Sequence, residues 1–85
     1  VFSKLEDLLN NASRKVVGTK QTLKALEKGE VKIIFIARDA EDKVIRPVLS
    51  LCEANTIEPQ YVDSMVQLGR MCGIKVKAAV AAITE

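Results

Sequence analysis

The sequence predicts an α/β fold, a three-layer α-β-α sandwich built on a four-stranded mixed sheet with helices on both faces. Three observations carry this. Amphipathic, helix-period segments alternate with short β-prone runs along the chain. The run VKIIFIA at residues 31–37 is almost wholly apolar and β-branched, as a central strand covered on both faces must be. A second run of small apolar residues, AAVAAI at 78–83, has the same character near the other end.

Taken in order, Ser3-Lys4-Leu5-Glu6 reads as a capping box, with Phe2, Leu5, Leu8, Leu9 and Ala12 following at helical spacing. A first helix is expected there, ending near NNASRK. Val16-Val17 is a short strand that runs into Gly18. A second helix is expected from Thr19 to Lys28, stopped by Gly29, which suits the left-handed position after a helix end. Residues 31–37 follow as strand and RDAEDK as a polar loop. A third helix carries Val44, Ile45, Val48, Leu49 and Cys52 inward, with Pro47 expected near its first turn, where a missing N–H costs least. Gln60 to Val62 is a short strand. Ser64-Met65-Val66-Gln67 is another capping box, opening a helix that turns Met65, Leu68, Met71 and Cys72 inward and ends at Gly73. GIKVK is a loop, and residues 78–83 are the last strand. The predicted order is α-β-α-β-α-β-α-β, without internal repeat or linker, so residues 1–85 are expected to form one domain.

Composition narrows the function. Hydrophobic residues make up 48% of the 85 and charged ones 28%, a globular balance; with aromatics at 4% and no Trp, the core must be aliphatic. The net charge is only +2, so a nucleic-acid role must rest on where the charge sits. No apolar run approaches the ~20 residues of a membrane span, and no signal-peptide pattern opens the chain. A cytoplasmic monomer with reduced thiols is expected, its N-terminus trimmed, since Val1 is not preceded by Met. There is no His, so the commonest general base is missing, and neither Cys52 nor Cys72 has an activator nearby in sequence. Both cysteines fall on apolar helix stripes and read as core. Asp39, Glu41 and Asp42 read as a solvated loop leading into a helix rather than a metal cluster. The expectation is a non-enzyme with no metal and no cofactor.

Two stretches carry binding chemistry. At 100° per residue, Lys20, Gln21, Lys24, Glu27 and Lys28 share one face of the second helix, while Thr22, Leu23, Ala25 and Leu26 face the core. The helix thus presents lysines and an amide beside its own N-terminus, where free N–H groups and the positive dipole end favour anions. Gly18 lets a phosphate or base edge approach the backbone. A plain solvated lysine face fits this stretch as well. The second stretch, RMCGIKVKAA, places Arg70, Lys75 and Lys77 around an exposed Ile74/Val76 pair. Apolar residues flanked by lysines can hold an unstacked base while the lysines take phosphates, or can simply tuck into the sheet edge.

Together these blocks resemble the kink-turn RNA-binding ribosomal-protein family (the archaeal "L-seven-Ae" type), in its bacterial branch. GTKQTLKALEKG matches the family's Gly-Thr-x-x-x-x-Lys helix start, VLSLCE its third helix, and YVDSM, LGRMCGIKV and AAVAAI its closing helix, recognition loop and last strand. The resemblance implies a partner, structured RNA bent at a three-nucleotide bulge followed by tandem sheared G·A pairs, in ribosomal RNA, a riboswitch or a similar stem. It implies that Gly18 and Thr19 offer backbone donors, that Lys20 and Gln21 lie at the paired bases, and that Lys24 reaches guanine O6 or phosphate. Arg70 would contact the RNA backbone, and Ile74, Lys75 and Val76 would cover the flipped-out bulge nucleotides. The chain departs from the archaeal pattern at Lys20 and Gln21, which stand where Asn and Glu are typical. It departs again at Lys77, which replaces a small residue or Pro and adds charge beside the loop. The alternative is a small α/β module that docks on protein through the same face.

Overall fold

The computed structural model describes residues 14–84, and the first helix expected from the Ser3 capping box lies outside them. Strand β1 (Lys15–Val17) leads into helix α1 (Thr19–Glu27), and strand β2 (Ile33–Ala37) into helix α2 (Asp42–Ala54). Strand β3 (Gln60–Val62), helix α3 (Met65–Met71) and strand β4 (Val80–Ile83) complete the chain. The sheet order is β1-β4-β2-β3. β4 runs antiparallel to both neighbours, with Val16 opposite Ala82 and Phe35 opposite Ala81, whereas β2 and β3 are parallel with Ile36 opposite Tyr61. The parallel pair needs a crossover, and α2 supplies it. The sheet is therefore mixed, as expected.

Burial follows from this order. All four residues of β4, and Ile34 to Ala37 of β2, are buried, because each strand has neighbours on both sides and helices over both faces. α1 and α2 pack against each other, while α3 packs against β2, β3 and β4. Phe35, Ile34, Ile36, Leu26, Leu68, Met71 and Val48 form the fully buried centre, each contributing roughly 1.5–3 kcal/mol on leaving water. β3 is an edge strand with Gln60 and Tyr61 exposed, and Pro59 before it suits an edge.

The three helices of the described residues end alike. Gly29 N–H donates to Leu26 and Glu30 N–H to Ala25; Gly73 N–H donates to Arg70 and Ile74 N–H to Gly69. These are Schellman closures, and Gly29 and Gly73 take the required positive φ of 70° and 75°. α2 closes in the same way through Thr56 N–H to Glu53 and Ile57 N–H to Cys52, but with a threonine at φ 58°.

Some boundaries move. α2 begins at Asp42, so Pro47 stands in its second turn rather than its first. It is exposed there, so water can satisfy the carbonyl that its missing N–H leaves free. The last strand starts at Val80 and not at residue 78, because Ala78 N–H donates to Met65 C=O (3.0 Å) instead of joining the ladder.

Candidate nucleic-acid interface

Gly18 is the hinge of the site. Its φ of 99° and ψ of 153° lie in a region that is essentially glycine-only. Its N–H donates to Val80 C=O at 2.9 Å, and its C=O accepts from Thr22 N–H at 3.1 Å. One residue thus starts α1 and ties that start to the head of β4. Nothing lies within 4 Å of where a side chain at Gly18 would begin, so the surface over the turn is open.

The start of α1 keeps its anion-favouring character. Gly18 cannot cap it, no other side chain does, and its first turn holds no acidic residue. The N–H groups of Thr19, Lys20 and Gln21 have no intrahelical acceptor, as the geometry of a helix start requires. Lys20, Gln21 and Lys24 are exposed, and Thr22, Ala25 and Leu26 are buried, which is the division that the 100° periodicity predicts. Lys24 lies in the last turn of this short helix, where an ammonium also complements the negative dipole end.

Sheet order links the second stretch to the first. The loop from Gly73 to Ala79 feeds β4, and β4 lies next to β1, which ends at Val17 just before Gly18. Arg70, Ile74, Lys75, Val76 and Lys77 come together with Val66 around a surface cavity of about 340 Å³. Its lining mixes valine and isoleucine side chains with three cationic groups. Val76 is 69% exposed and Val66 53%, both high for valine. Ile74 departs from expectation: it is half-buried and packs against the core, so it forms the inner wall of the cavity rather than an exposed tip. None of Lys20, Lys24, Arg70, Lys75 and Lys77 takes part in an ion pair among the described residues.

The sequence reading missed two residues here. Val66 looked like an ordinary helix position, although an exposed β-branched residue inside a helix was a faint signal. Gly69, inside α3, also went unremarked. A glycine within a helical pattern costs about 1 kcal/mol relative to alanine. Asp39 belongs to neither binding stretch, yet its Oδ1 accepts from Met65 N–H at 2.8 Å and helps to start α3. Of the other groups considered, Cys52 and Cys72 are buried free thiols, as expected, and burial raises the pKa of each above the ordinary thiol range. Lys15 partly opposes that shift at Cys72. Among the described residues no helix is long and apolar enough to cross a membrane.

Comparison with known proteins decides the family. Residues 2–85 match the sequence profile of the ribosomal protein L7Ae/L30e/S12e/Gadd45 family. The chain belongs to this family. It is 49% identical over 69 residues to an RNA-binding protein of Caldanaerobacter subterraneus subsp. tengcongensis, covering 81% of this chain and 84% of that one. It is 48% identical over 77 residues to an RNA-binding protein of Halalkalibacterium halodurans, covering 91% and 94%. Among solved structures, the L7Ae-family fold is shared with a Giardia lamblia 15.5kD RNA binding protein. That pair has a TM-score of 0.86 at 25% identity, over 99% of this chain and 72% of the other. The relatives are named for RNA binding and not for an enzymatic activity, in keeping with a chain that lacks His.

Proposed function

We propose that this L7Ae-family protein binds structured RNA, and that its target is a kink-turn, which it stabilises as a single monomeric domain. The observation that carries the proposal is the Gly18 N–H to Val80 C=O bond at 2.9 Å. It puts an uncapped, lysine-bearing helix start beside the strand fed by a cation-rimmed apolar loop. The names of the relatives support the RNA class, and the chemistry of the two elements supports the finer reading.

An ordinary A-form major groove is too deep and narrow for a side chain to read, whereas a kinked stem opens it. The start of α1 would enter there. Gly18 and Thr19 offer backbone donors, Lys20 and Gln21 face the sheared G·A pairs, and Lys24 takes guanine O6 or a phosphate. The cavity beside the 74–77 loop accepts an unstacked bulge base against Ile74 and Val76, with Arg70, Lys75 and Lys77 on the flanking phosphates. Such a site needs local cations rather than a large global charge, consistent with a net charge of +2. The stem can belong to ribosomal RNA, a riboswitch or another kinked RNA.

Binding to a kink-turn stem and to the same stem with its G·A pairs replaced by Watson–Crick pairs tests the proposal. The repaired stem lacks both the bent form and the base edges, so its binding should be weaker by several kcal/mol and steeply salt-dependent. Lys24→Ala should cost roughly 1–3 kcal/mol on the kinked stem, and Lys28→Ala less. Equal affinity for the two stems would refute kink-turn recognition, and no affinity for either would favour docking on protein.

A further inference from the structure

The loop that follows α3 lies on the helix itself. Ile74 N–H donates to Gly69 C=O at 3.1 Å, and Ala78 N–H donates to Met65 C=O at 3.0 Å. Between these two anchors the loop crosses directly over Gly69. A Cβ placed on Gly69 would overlap the carbonyl oxygen of Val76 and would stand 3.1 Å from its carbonyl carbon and 3.2 Å from Lys77 Cα. The obstructing atoms are backbone, so no side-chain rotation can relieve the contact.

Nothing else about the position calls for glycine. Gly69 has helical backbone, unlike Gly18, Gly29 and Gly73 with their positive φ. Glycine also weakens a helix interior relative to alanine, more so in a helix of seven residues. What the missing side chain provides is the close approach of Val76 and Lys77. Those two residues, with Val66, Arg70, Ile74 and Lys75, line the 340 Å³ cavity. Raising the loop would change the cavity's depth and move Val76 relative to the valine and isoleucine walls.

We propose that Gly69 is a positioning residue for RNA recognition: by carrying no side chain it sets the height of the 74–77 loop over α3, and so the shape of the base-accepting cavity. The inference rests on the kink-turn reading and adds a residue that touches no RNA itself. A bulky substitution on the core side of α3, at Leu68 or Met71, changes stability, whereas this one changes how the protein senses a single base.

A cycle between protein and RNA measures that. The wild type and Gly69→Ala are titrated with a kink-turn RNA and with the same RNA made abasic at the bulge nucleotide covered by the loop. Both titrations are run well below the thermal midpoint of either protein. The wild type should lose about tenfold or more in affinity on the abasic RNA. Gly69→Ala should bind the intact RNA near that reduced level and lose less than threefold further. A second variant, with one glycine inserted between Val76 and Lys77, lifts the loop without altering α3 and should behave alike; it serves if Gly69→Ala does not fold. If the wild type senses the missing base and both folded variants sense it equally, the positioning role is wrong and the RNA reading stands. If the wild type is indifferent to the base, the loop's part in recognition fails and this inference falls with it.

Discussion

Two threonines define the stability questions at the scale of single residues. Thr22 is fully buried on the core side of α1, and its Oγ1 has no hydrogen-bond partner among the described residues. A buried hydroxyl without a partner carries a desolvation cost of about 1–3 kcal/mol. Thr22→Val keeps the shape and removes the polar atom, so it should raise unfolding stability by about 1 kcal/mol. Urea denaturation decides it, and a loss would mean that the hydroxyl has a partner in solution. Thr56 occupies the left-handed position that Gly29 and Gly73 hold in the other two helices. A β-branched residue pays roughly 1–2 kcal/mol there. Glycine in turn loses about 0.5–1 kcal/mol more backbone freedom on folding. The net expectation for Thr56→Gly is a gain of about 0.5–1 kcal/mol, read from the shift of the thermal midpoint.

At the scale of elements, α3 matters most because it carries the loop. It has seven residues, too few to be stable alone, and its start is held twice. Ser64 Oγ accepts from Gln67 N–H at 3.1 Å, while Asp39 Oδ1 accepts from Met65 N–H at 2.8 Å across 26 residues of sequence. Ser64→Ala and Asp39→Ala should each cost about 1 kcal/mol, and Asp39→Asn less because it keeps an acceptor. The effect should also spread along the element. With α3 frayed, amides at Ile74 and Ala78, which bond to Gly69 and Met65, should exchange faster in deuterium-exchange experiments. Unchanged exchange there would mean that the loop is seated independently of the helix start.

For the whole molecule, the buried thiols link stability to pH. Burial raises the pKa of Cys52 and Cys72 in the folded state, so folded protein keeps these protons at a pH where unfolded chains have lost them. The folded state then binds more protons, and stability falls as pH rises. The stabilising contribution is intact below the ordinary thiol pKa and is lost as pH climbs through the raised folded value. Under reducing conditions, denaturant unfolding between pH 7 and 10 should show declining stability, with a slope of at most about 1.4 kcal/mol per pH unit for each thiol. Cys52→Ala should flatten the decline, and an unchanged slope would point to other groups. Thiol-reagent labelling should be slow and should track unfolding.

Local chemistry made much of this protein legible from its sequence. Helix and strand periods are short-range, so α1, α2, α3 and the apolar strands could be read directly, as could Gly29, Gly73 and the Ser64 cap. The exposed face of α1 was legible for the same reason: Lys20, Gln21 and Lys24 share a helix face set by 100° per residue. Strand order was not legible, because β1 and β3 have three residues each, too few for a pattern to name their neighbours. Tertiary structure alone tied Gly18 to Val80, the head of the strand that the 74–77 loop feeds, through a β4 that inserts between β1 and β2. It also turned Ile74 inward, reached Asp39 across to Met65, and set Val76 against Gly69. Each of these depends on which surfaces meet when the core closes, and no window of neighbouring residues contains that information.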